Sequence, residues 1–436
     1  SNNNNNSSNS NNNEDIRLVF SDVDGTLVHY PSSIPESNTK TETESDTHQE
    51  GSSSKDNDND NDNDKEAKKK LLALPPSSTG LRGIISIRTL ELAREIRRTN
   101  TKLVVVSGMR TSTLLQRLPY LPKADAYCSE NGGRIFRLVQ DEDEDETDNV
   151  IWVRPQKYFA DNHDSNSDSN SSDDDDDDDP FRIREDLKWK RIMTSALSGT
   201  EQEPAGPAPS GDFSSVPLVE REGPLWDFVR HLAEVHGVVP DYKGYSTCVR
   251  VRQKQQTLEA WKRLSPQTFC ERLRGLLREH EAKHKREHEH PSISCSVNLG
   301  CVDFYPSASG KKGSALYLAG EWFCNGNGTN NGTGNGTDKH YGDIESDTKT
   351  SAPENLSARF CRNHAVLLCD DDNDLELAAA CSRAYLPGAA SPVIARFAET
   401  DPERFVPAFS RNCKDTDASD RALEWVLEAV TKERNE

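Results

Sequence analysis

Two runs of consecutive apolar residues limit the possible folds of this chain more than any other feature. Residues 103–106 read Leu-Val-Val-Val, and residues 365–368 read Ala-Val-Leu-Leu. An unbroken apolar run of this length indicates a strand with both faces buried, which is typical of a parallel sheet covered by helices on both sides. An apolar strand pattern at 16–20 and helical apolar spacing at 86–98 extend the alternation. The sequence therefore predicts an α/β fold with a Rossmann-like, doubly wound parallel sheet.

Polar, low-complexity segments interrupt this alternation. Hydrophobic residues make up only 33% of the 436 residues, and the shortage is concentrated in these segments. Such segments cannot bury enough apolar surface to offset the entropy that is lost on ordering. We therefore expect disorder in acidic or Asn-rich stretches, which are the tail 1–14 and the inserts 31–78, 140–149, 161–179, 196–216 and 324–358.

The net charge of −21 is a property of three acidic tracts. Residues 41–66, 141–148 and 161–179 together carry −25, which leaves about +4 for the rest of the chain. A nearly neutral folded part suits a small anionic substrate. Nucleic acid is not expected as a partner because no dense basic face with aromatic residues is present. No apolar run is long enough to predict a membrane span, and protein partners of the acidic tracts stay open.

The ten cysteines are scattered along the chain and form no C-x-x-C pair. This usage is typical of reduced thiols in an intracellular protein, so we expect a cytoplasmic location. Because the sequence begins with Ser1 rather than Met, a removed organellar targeting segment stays an open alternative.

The strand–helix alternation has a long interruption at 134–304. The flanking segments 15–133 and 305–436 carry the pattern of the doubly wound sheet. The interruption holds strand patterns of alternating polarity and a long charged helical pattern at about 257–287. We therefore expect a core built from the two flanking segments and an inserted α+β cap domain at 134–304.

Two aspartates follow the first predicted strand. Asp22 and Asp24 are separated by one residue, Val23, and are followed by Gly25 and Thr26. At the carboxyl end of a parallel strand both carboxylates can reach the crevice at the sheet edge. One can then act as a nucleophile and the other as a general acid and base. An isolated pattern of this kind could equally be a capped turn with solvent-exposed acids, so the prediction depends on further motifs.

Two further motifs could hold a phosphate. Ser107 and Gly108 follow the run at 103–106, where a hydroxyl and free N–H groups can bind phosphate oxygens near a helix start. Lys311 and Lys312 lie at the start of a predicted helix and offer an ammonium group for the same anion. Taken alone, the serine is more often a helix N-cap, and the lysine pair is more often a solvated surface feature.

An acidic cluster follows the second apolar run. Residues 370–374 read Asp-Asp-Asp-Asn-Asp and lie between that run and an apolar helix pattern. The acidic tracts elsewhere in the chain have neither neighbour. Several carboxylates at one sheet edge repel one another unless a cation is present, and hard oxygen ligands favour Mg²⁺. The sequence therefore predicts Mg²⁺ as the cofactor.

In their combination and order, these motifs resemble the four motifs of the haloacid dehalogenase superfamily. The insert before the lysine motif, together with the segment 130–133 (Glu-Asn-Gly-Gly), resembles the subgroup with a large α/β cap. That subgroup includes sugar-phosphate phosphatases and eukaryotic phosphomannomutases. The resemblance implies that Asp22 becomes an aspartyl-phosphate and that Asp24 is the general acid and base.

The resemblance also implies a set of binding residues. For Mg²⁺ these are Asp22, the carbonyl of Asp24, Asp370 and Asp374, and for the phosphate they are Ser107, Gly108, Lys312 and Asn373. Lys312 is preferred to Lys311 because a glycine follows it, as in the family pattern. Cys369 departs from the pattern because a glycine usually precedes the first aspartate of the fourth motif, so the backbone beside the metal is less assured.

A strand-like pattern in the cap offers further polar residues. Alternation places Arg250 and Arg252 on one face of this strand, and Lys243 and Tyr245 come shortly before it. These side chains could hold a second anionic or hydroxyl-rich part of the substrate. An ordinary solvated face explains the same pattern equally well.

The leading hypothesis is a magnesium-dependent phosphatase of a small phosphorylated metabolite, with a sugar phosphate as the expected substrate. One alternative is a phosphohexomutase, which would use the same aspartates but return the phosphoryl group to the sugar. The other is a non-catalytic binding protein of the same fold, whose acidic tracts recruit partners.

Overall fold

The computed structural model describes ten stretches of the chain. They are residues 15–31, 70–76, 80–139, 150–156, 179–198, 216–284, 292–298, 301–324, 353–389 and 391–432. These stretches contain fourteen strands and eleven α-helices. The strands are β1 (Leu18–Ser21), β2 (Leu71–Ala73), β3 (Ile84–Ser86), β4 (Lys102–Val106), β5 (Ala126–Ser129), β6 (Arg134–Leu138), β7 (Val150–Val153), β8 (Phe181–Glu185), β9 (Val249–Arg252), β10 (Ile293–Asn298), β11 (Cys301–Pro306), β12 (Ala365–Leu368), β13 (Arg383–Leu386) and β14 (Phe405–Pro407). The helices are α1 (Ile87–Arg98), α2 (Thr111–Arg117), α3 (Leu187–Ser198), α4 (Pro224–His236), α5 (Glu259–Lys262), α6 (Pro266–His284), α7 (Gly310–Ala319), α8 (Pro353–His364), α9 (Leu375–Ala378), α10 (Pro392–Thr400) and α11 (Thr416–Lys432).

A nine-stranded sheet lies at the centre of these stretches. Its strand order is β14-β13-β12-β1-β4-β5-β6-β8-β7, and the six strands from β14 to β5 run parallel. From β1 the chain builds the sheet outward through β4 and β5 on one side and through β12, β13 and β14 on the other. In open α/β sheets, ligands bind at the carboxyl ends of the strands where the strand order reverses in this way. The predicted α/β fold is confirmed, and β1 marks the expected position of the site.

Both faces of the sheet are covered, which explains the unbroken apolar runs. Val19 and Val105 point to one face, where they pack in a core with α1 and α11. Phe20 and Val104 point to the other face, where they pack with α3, α7 and α9. Because neighbouring strand residues point to opposite faces, a strand buried on both faces needs apolar side chains at every position.

The predicted boundary of the cap is wrong at its start. The segment 134–198 was expected in the cap, but β6, β7 and β8 pair antiparallel with one another and with β5, and so extend the central sheet. The following helix α3 packs its Trp189 and Met193 into the core beneath that sheet. Alternating polarity identified these strands correctly, but a local pattern does not say which sheet a strand joins.

The described residues between 216 and 304 form a smaller unit, which we call the cap. Its antiparallel sheet has the order β10-β11-β9 and is covered on one face by α4, α5 and α6. Phe228 of α4 and Phe304 of β11 meet at a ring-centroid distance of 5.1 Å in this core. The predicted helix at 257–287 is two helices instead, α5 and α6, and Pro266 is the first residue of the second. Proline lacks an N–H and has a fixed φ, so it starts a helix more readily than it continues one.

Three segments expected to be disordered contain secondary structure at their edges. Residues 71–73 form β2, which pairs with β3, because Leu72 packs against the core and Leu74 is buried beside it. Helix α3 continues to Ser198, and α8 begins at Pro353. Apart from a few residues at the edges of the inserts, the rest of the expected disorder, including the tail 1–14, lies outside the described residues. No helix in the described stretches combines the length and the apolarity needed to cross a membrane.

Candidate active site

The carboxyl ends of β1, β4 and β12 meet at one edge of the sheet. Ser21, the last residue of β1, pairs in register with Leu368, the last residue of β12. Asp22 comes next, and its N–H donates to the carbonyl of Leu368 over 3.0 Å. Ser107 directly follows β4, and Asp370 lies two residues beyond β12. Three of the sequence motifs therefore converge at the strand-order reversal.

Three buried carboxylates form a cluster at this edge. Asp22, Asp370 and Asp374 each place an oxygen within 4.8 Å of the other two. Burial raises the pKa of all three carboxyl groups, that of Asp374 to about 8, and the charges of its neighbours raise the pKa of Asp370 further. A buried cluster of this kind is unfavourable when it is ionised without a cation. Its all-oxygen donor set fits Mg²⁺.

Two buried oxygens beside the cluster also suit a cation or its waters. Asn373 Oδ1 and Asp374 Oδ2 are buried and have no hydrogen-bond partner within the described stretches. Buried polar atoms are nearly always paired with protein, ordered water or an ion. A magnesium ion typically keeps several waters, which would supply these partners. The residues present therefore fit the implied metal.

The turn after Asp24 is shaped to hold Asp370. Gly25 has a φ of +85°, and a Cβ added there would lie 2.1 Å from Asp370 Oδ2. Only glycine therefore suits this position, on grounds of both conformation and space. Thr26 Oγ1 donates to Asp370 Oδ1 over 3.0 Å. The glycine and the threonine of the first motif thus fix a carboxylate of the fourth.

The lysine of the site is Lys311, which corrects the prediction of Lys312. The ammonium of Lys311 is buried and lies 2.9 Å from Asp22 Oδ1 and 2.7 Å from Asp374 Oδ1. Lys312 is exposed. Burial alone would lower the pKa of Lys311, but the two carboxylates raise it above its ordinary value, so the group is a cation at neutral pH. Successive helix residues are about 100° apart around the axis, which is why only one of the pair faces the cluster.

Cys369 is compatible with the site despite its departure from the family pattern. Its side chain is buried in the core beneath the sheet, where burial and the charges of Asp374 and Asp370 raise the pKa of the thiol well above its ordinary value. Its φ is not positive, since only Asn100, Glu130, Asn131 and Asp415 among the described non-glycine residues have positive φ. A side chain at position 369 therefore imposes no backbone strain.

Asp24 lies apart from the carboxylate cluster. Its Oδ1 accepts a hydrogen bond from Nη1 of Arg117 at 2.9 Å and another from the hydroxyl of Tyr30. Nη1 of Arg117 also donates to the Tyr30 oxygen over 2.8 Å. Burial and the charge of Asp24 raise the pKa of Tyr30 above its ordinary value, so the phenol keeps its proton. The proposed metal contact through the Asp24 carbonyl stays a prediction.

The loop after β4 is suited to bind an anion. Ser107 is buried, and its Oγ accepts from the N–H of Met109 over 3.2 Å, which leaves the hydroxyl proton to donate elsewhere. A Cβ on Gly108 would lie 3.0 Å from Asn131 Oδ1 and 3.2 Å from Arg250 Nη2. The absence of a side chain therefore lets the cap approach this loop closely.

A buried carboxylate attaches the cap to the core. Glu130 Oε2 accepts from the N–H groups of Ser246 and Thr247 over 2.7 and 2.8 Å and from the Thr247 hydroxyl over 2.9 Å. Its Oε1 accepts from the hydroxyl of Thr111 over 2.9 Å. Glu130 has a φ of 55°, a conformation that non-glycine residues rarely adopt. The segment that resembled a subgroup motif thus has a structural role where the cap meets the core.

The four cap residues predicted as substrate contacts lie in different surroundings. Arg250 makes two 2.6 Å contacts with the buried Asp303 and a 3.3 Å hydrogen bond to the Gly108 carbonyl. Arg252 lies 3.5 Å from Asp241. Tyr245 is buried, whereas Lys243 is exposed. Arg250 therefore lies next to the loop after β4, which is suited to bind an anion, but its charge is already neutralised by the carboxylate of Asp303.

Tyr30 and Arg117 were not identified from the sequence. Tyr30 lies six residues after Asp24 and Arg117 is the last residue of α2, so no motif connects them. The one local signal is an arginine at an inward position of an otherwise apolar helix face, beside Leu114 and Leu118, which are both buried. A buried arginine needs an anion nearby, but the sequence does not indicate which one.

No protein-family model matches the chain. No curated protein matches it either. Among solved structures, the chain is similar to the sucrose-phosphatase of Synechocystis in complex with sucrose and phosphate, with 11% identity, coverage of 95% of this chain and 98% of that chain, and a TM-score of 0.45. It is also similar to a trehalose-6-phosphate phosphatase of Aspergillus fumigatus (11% identity, 95% and 94% coverage, TM-score 0.34). A third similar structure is a haloacid dehalogenase-like hydrolase protein of Bacillus subtilis (11% identity, 86% and 82% coverage, TM-score 0.35).

Two of these structures are named as phosphatases and one as a haloacid dehalogenase-like hydrolase, the superfamily whose motifs the sequence resembles. The identities are near 11% and the TM-scores are below 0.5, so the likenesses carry no weight for the activity of this chain. Its function is inferred from the geometry of the site.

Proposed function

We propose that this chain is a magnesium-dependent phosphatase that hydrolyses a small phosphorylated metabolite through an aspartyl-phosphate on Asp22. The observation that carries the proposal is the position of Asp22 at the strand-order reversal, buried between the ammonium of Lys311 and the carboxylate of Asp370. A carboxylate at a sheet edge can act as a nucleophile toward phosphorus when a cation lies beside it, and Lys311 is such a cation. Solvated aspartates in an ordinary turn would have no reason to be buried together with a lysine.

In the first step, an oxygen of Asp22 attacks the phosphorus of the ester, and the bond from phosphorus to the leaving oxygen breaks. The leaving oxygen takes a proton from the carboxyl group of Asp24, which acts as the general acid. The products are the aspartyl-phosphate and the free alcohol. In the second step, Asp24 removes a proton from water as the water oxygen attacks phosphorus. Inorganic phosphate leaves, and both aspartates return to their starting states.

Charge neutralisation and positioning supply most of the catalysis in phosphoryl transfer. Lys311 places a buried cation next to Asp22, where the transferring phosphoryl oxygens gain charge. Ser107 and the N–H of Gly108 donate to the same oxygens from the neighbouring strand end. A bound Mg²⁺ would be held by Asp22, Asp370 and Asp374 and would supply Lewis-acid stabilisation of a phosphoryl oxygen.

The cap favours a phosphatase over a phosphohexomutase. A mutase must bind a second phosphate on the cap side of the site, which requires cations that are free to receive it. Within the described stretches, Arg250 pairs with Asp303, and both Arg110 and Arg252 contact Asp241. At these arginines a second phosphate would have to displace a carboxylate, and among the predicted cap contacts only the exposed Lys243 offers a charge without doing so. A neutral, hydroxyl-rich leaving group fits these ion pairs, because carboxylates and guanidinium groups can exchange hydrogen bonds with hydroxyls, and a sugar phosphate is the substrate class with that character.

The test is phosphate release from p-nitrophenyl phosphate with and without Mg²⁺. We expect turnover that requires Mg²⁺ and that is lost in Asp22→Asn. A screen of phosphorylated sugars would then identify the preferred substrate, and a hexose bisphosphate that primes conversion of one hexose monophosphate into another would favour the mutase. Undiminished turnover by Asp22→Asn, or no turnover by the wild type with any phosphomonoester, would contradict the proposal.

A further inference from the structure

The contact of Asp24 with Arg117 and Tyr30 does not follow from the proposed chemistry. Asp24 could serve as an acid and base without a cation beside it. Yet Nη1 of Arg117 lies 2.9 Å from Asp24 Oδ1, and the Tyr30 hydroxyl donates to the same oxygen. Oδ2 of Asp24 has no partner within the described part of the chain. The two oxygens of this carboxylate therefore have different roles.

The burial of Arg117 makes this arrangement rigid. Its side chain is only 1% exposed, whereas that of Asp24 is 41% exposed. Among the described residues, Asp24 is the only carboxylate within ion-pair distance of Arg117. The Nε and Nη2 atoms of Arg117 have no hydrogen-bond partner in this part of the chain. Breaking a buried ion pair leaves an unpaired charge in a low-dielectric site, which is strongly unfavourable. Asp24 therefore cannot rotate away from Arg117 at low cost.

Tyr30 fixes the remaining freedom of the carboxylate. Its hydroxyl contacts both Asp24 Oδ1 and Arg117 Nη1, and the Arg117 guanidinium lies 5.8 Å from the centre of the Tyr30 ring. Two donors on a single oxygen define the plane of the carboxylate as well as its position. Both donors occupy Oδ1 of a side chain that is 41% exposed, so Oδ2 is the oxygen left to reach a leaving group.

We infer that Arg117 and Tyr30 are positioning residues that hold Asp24 so that Oδ2 alone carries the proton to the leaving group. This inference rests on the proposed function, because it assigns a task to residues that act through the proposed acid. The proton passes from Oδ2 to the leaving oxygen as the phosphorus–oxygen bond breaks, and Oδ2 takes a proton from water in the second step. Oδ1 stays bound to Arg117 and Tyr30 throughout.

The experiment compares two substrates of similar size, phenyl phosphate and p-nitrophenyl phosphate. Phenolate is the poorer leaving group and depends on protonation, whereas p-nitrophenolate leaves with little help from an acid. A positioned general acid contributes about 10²–10⁴-fold. We therefore expect Tyr30→Phe and Arg117→Met to lower kcat/KM for phenyl phosphate at least about tenfold more than kcat/KM for p-nitrophenyl phosphate. Arg117→Lys should retain most of the activity that Arg117→Met loses on phenyl phosphate.

Two further variants make the result decisive. Tyr120→Phe is the matched control, because the Tyr120 hydroxyl forms no hydrogen bond within the described stretches and is expected to affect both substrates equally. Asp24→Asn is the reference for complete loss of the acid. Thermal unfolding of each variant checks that it folds. If Arg117→Met folds poorly, Tyr30→Phe still tests the inference, because this substitution removes only one oxygen.

Equal losses on both substrates, or no loss, in Tyr30→Phe would overturn the inference when Asp24→Asn does discriminate between the substrates. The proposed function would then stand, with Asp24 positioned by other means. If Asp24→Asn itself does not discriminate, Asp24 is not the acid, and the proposed mechanism fails together with the inference.

Discussion

Replacing Lys311 with methionine tests whether its ammonium group is needed for activity, and the same replacement at Lys312 is the control. The ammonium of Lys311 lies 2.9 Å from Asp22 and 2.7 Å from Asp374, while Lys312 is exposed. Methionine keeps the unbranched shape of lysine and removes only the charge and the hydrogen-bond donors. Lys311→Met and Lys312→Met are therefore chemically identical changes in opposite environments.

The expected effects of Lys311→Met follow from its two contacts. Loss of one cationic donor to a transferring group typically costs about 10²–10³-fold in kcat. Removing the cation from a buried ion pair with carboxylates destabilises a protein by about 3–5 kcal/mol. This corresponds to a decrease in Tm of roughly 10 °C for a protein of this size. Mg²⁺ should restore part of this stability, because it supplies positive charge to the same carboxylates. Lys312→Met should change kcat less than about twofold, as is usual at a surface position.

The assay is steady-state hydrolysis of p-nitrophenyl phosphate at saturating Mg²⁺, together with thermal unfolding in Mg²⁺ and in EDTA. The reasoning predicts a large effect of Lys311→Met, and almost none of Lys312→Met, in both measurements. A large loss of kcat in Lys312→Met with near-normal Lys311→Met would refute it and would return the role to Lys312.

Three further predictions concern other parts of the site. Gly25→Ala should abolish activity and lower the Tm more than Gly80→Ala does. Both glycines have φ near +80°, with a shared conformational cost of about 1–2 kcal/mol, but only a Cβ at Gly25 would meet Asp370, at 2.1 Å. Equal losses of Tm in the two variants would contradict the steric argument. The raised pKa values of Asp370 and Asp374, the latter about 8, mean that the folded protein binds more protons than the unfolded chain above the ordinary carboxyl pKa. The contribution of these groups to stability is therefore complete at low pH and is lost as the pH rises toward 8. In EDTA, the Tm of Asp370→Asn relative to wild type should rise between pH 5 and pH 8, and Mg²⁺ should stabilise wild type more at pH 8 than at pH 5; a flat difference would count against the buried cluster. Glu130→Gln should lower the free energy of unfolding by about 1.5–3 kcal/mol, because it weakens charge-assisted hydrogen bonds to the cap. Urea unfolding measures this change. A change below about 0.5 kcal/mol, which is typical of surface sites, would show that other contacts hold the cap.

The motifs at strand ends were predictable because their positions follow from parallel-sheet geometry. Asp22 and Asp370 were expected together since parallel strands end at the same edge, and the structure places both in one carboxylate cluster. The choice between Lys311 and Lys312 was wrong because the family pattern fixes a register in the sequence, whereas the helix phase decides which side chain faces inward.

The boundary of the cap and the surroundings of Asp24 depend on contacts between distant residues. The strand pattern of Arg134–Leu138 is the same whether it extends the central sheet or joins the cap, and only its pairing with β5 decides between them. Arg117 is separated from Asp24 by 93 residues, so no local pattern connects the acid to its cation. The neutralisation of Arg250 by Asp303 is likewise a pairing between two strands, which a strand pattern alone does not reveal.

The most direct test of the account is to identify the residue that carries the phosphoryl group during turnover. Borohydride reduces an aspartyl-phosphate to homoserine, which peptide mass spectrometry can locate in the chain. With Mg²⁺ and p-nitrophenyl phosphate present, we expect homoserine at position 22, and more of it in Asp24→Asn, because that variant lacks the base for the second step. Active enzyme that yields homoserine at another aspartate, or none at all in Asp24→Asn, would contradict the assignment of Asp22 as the nucleophile.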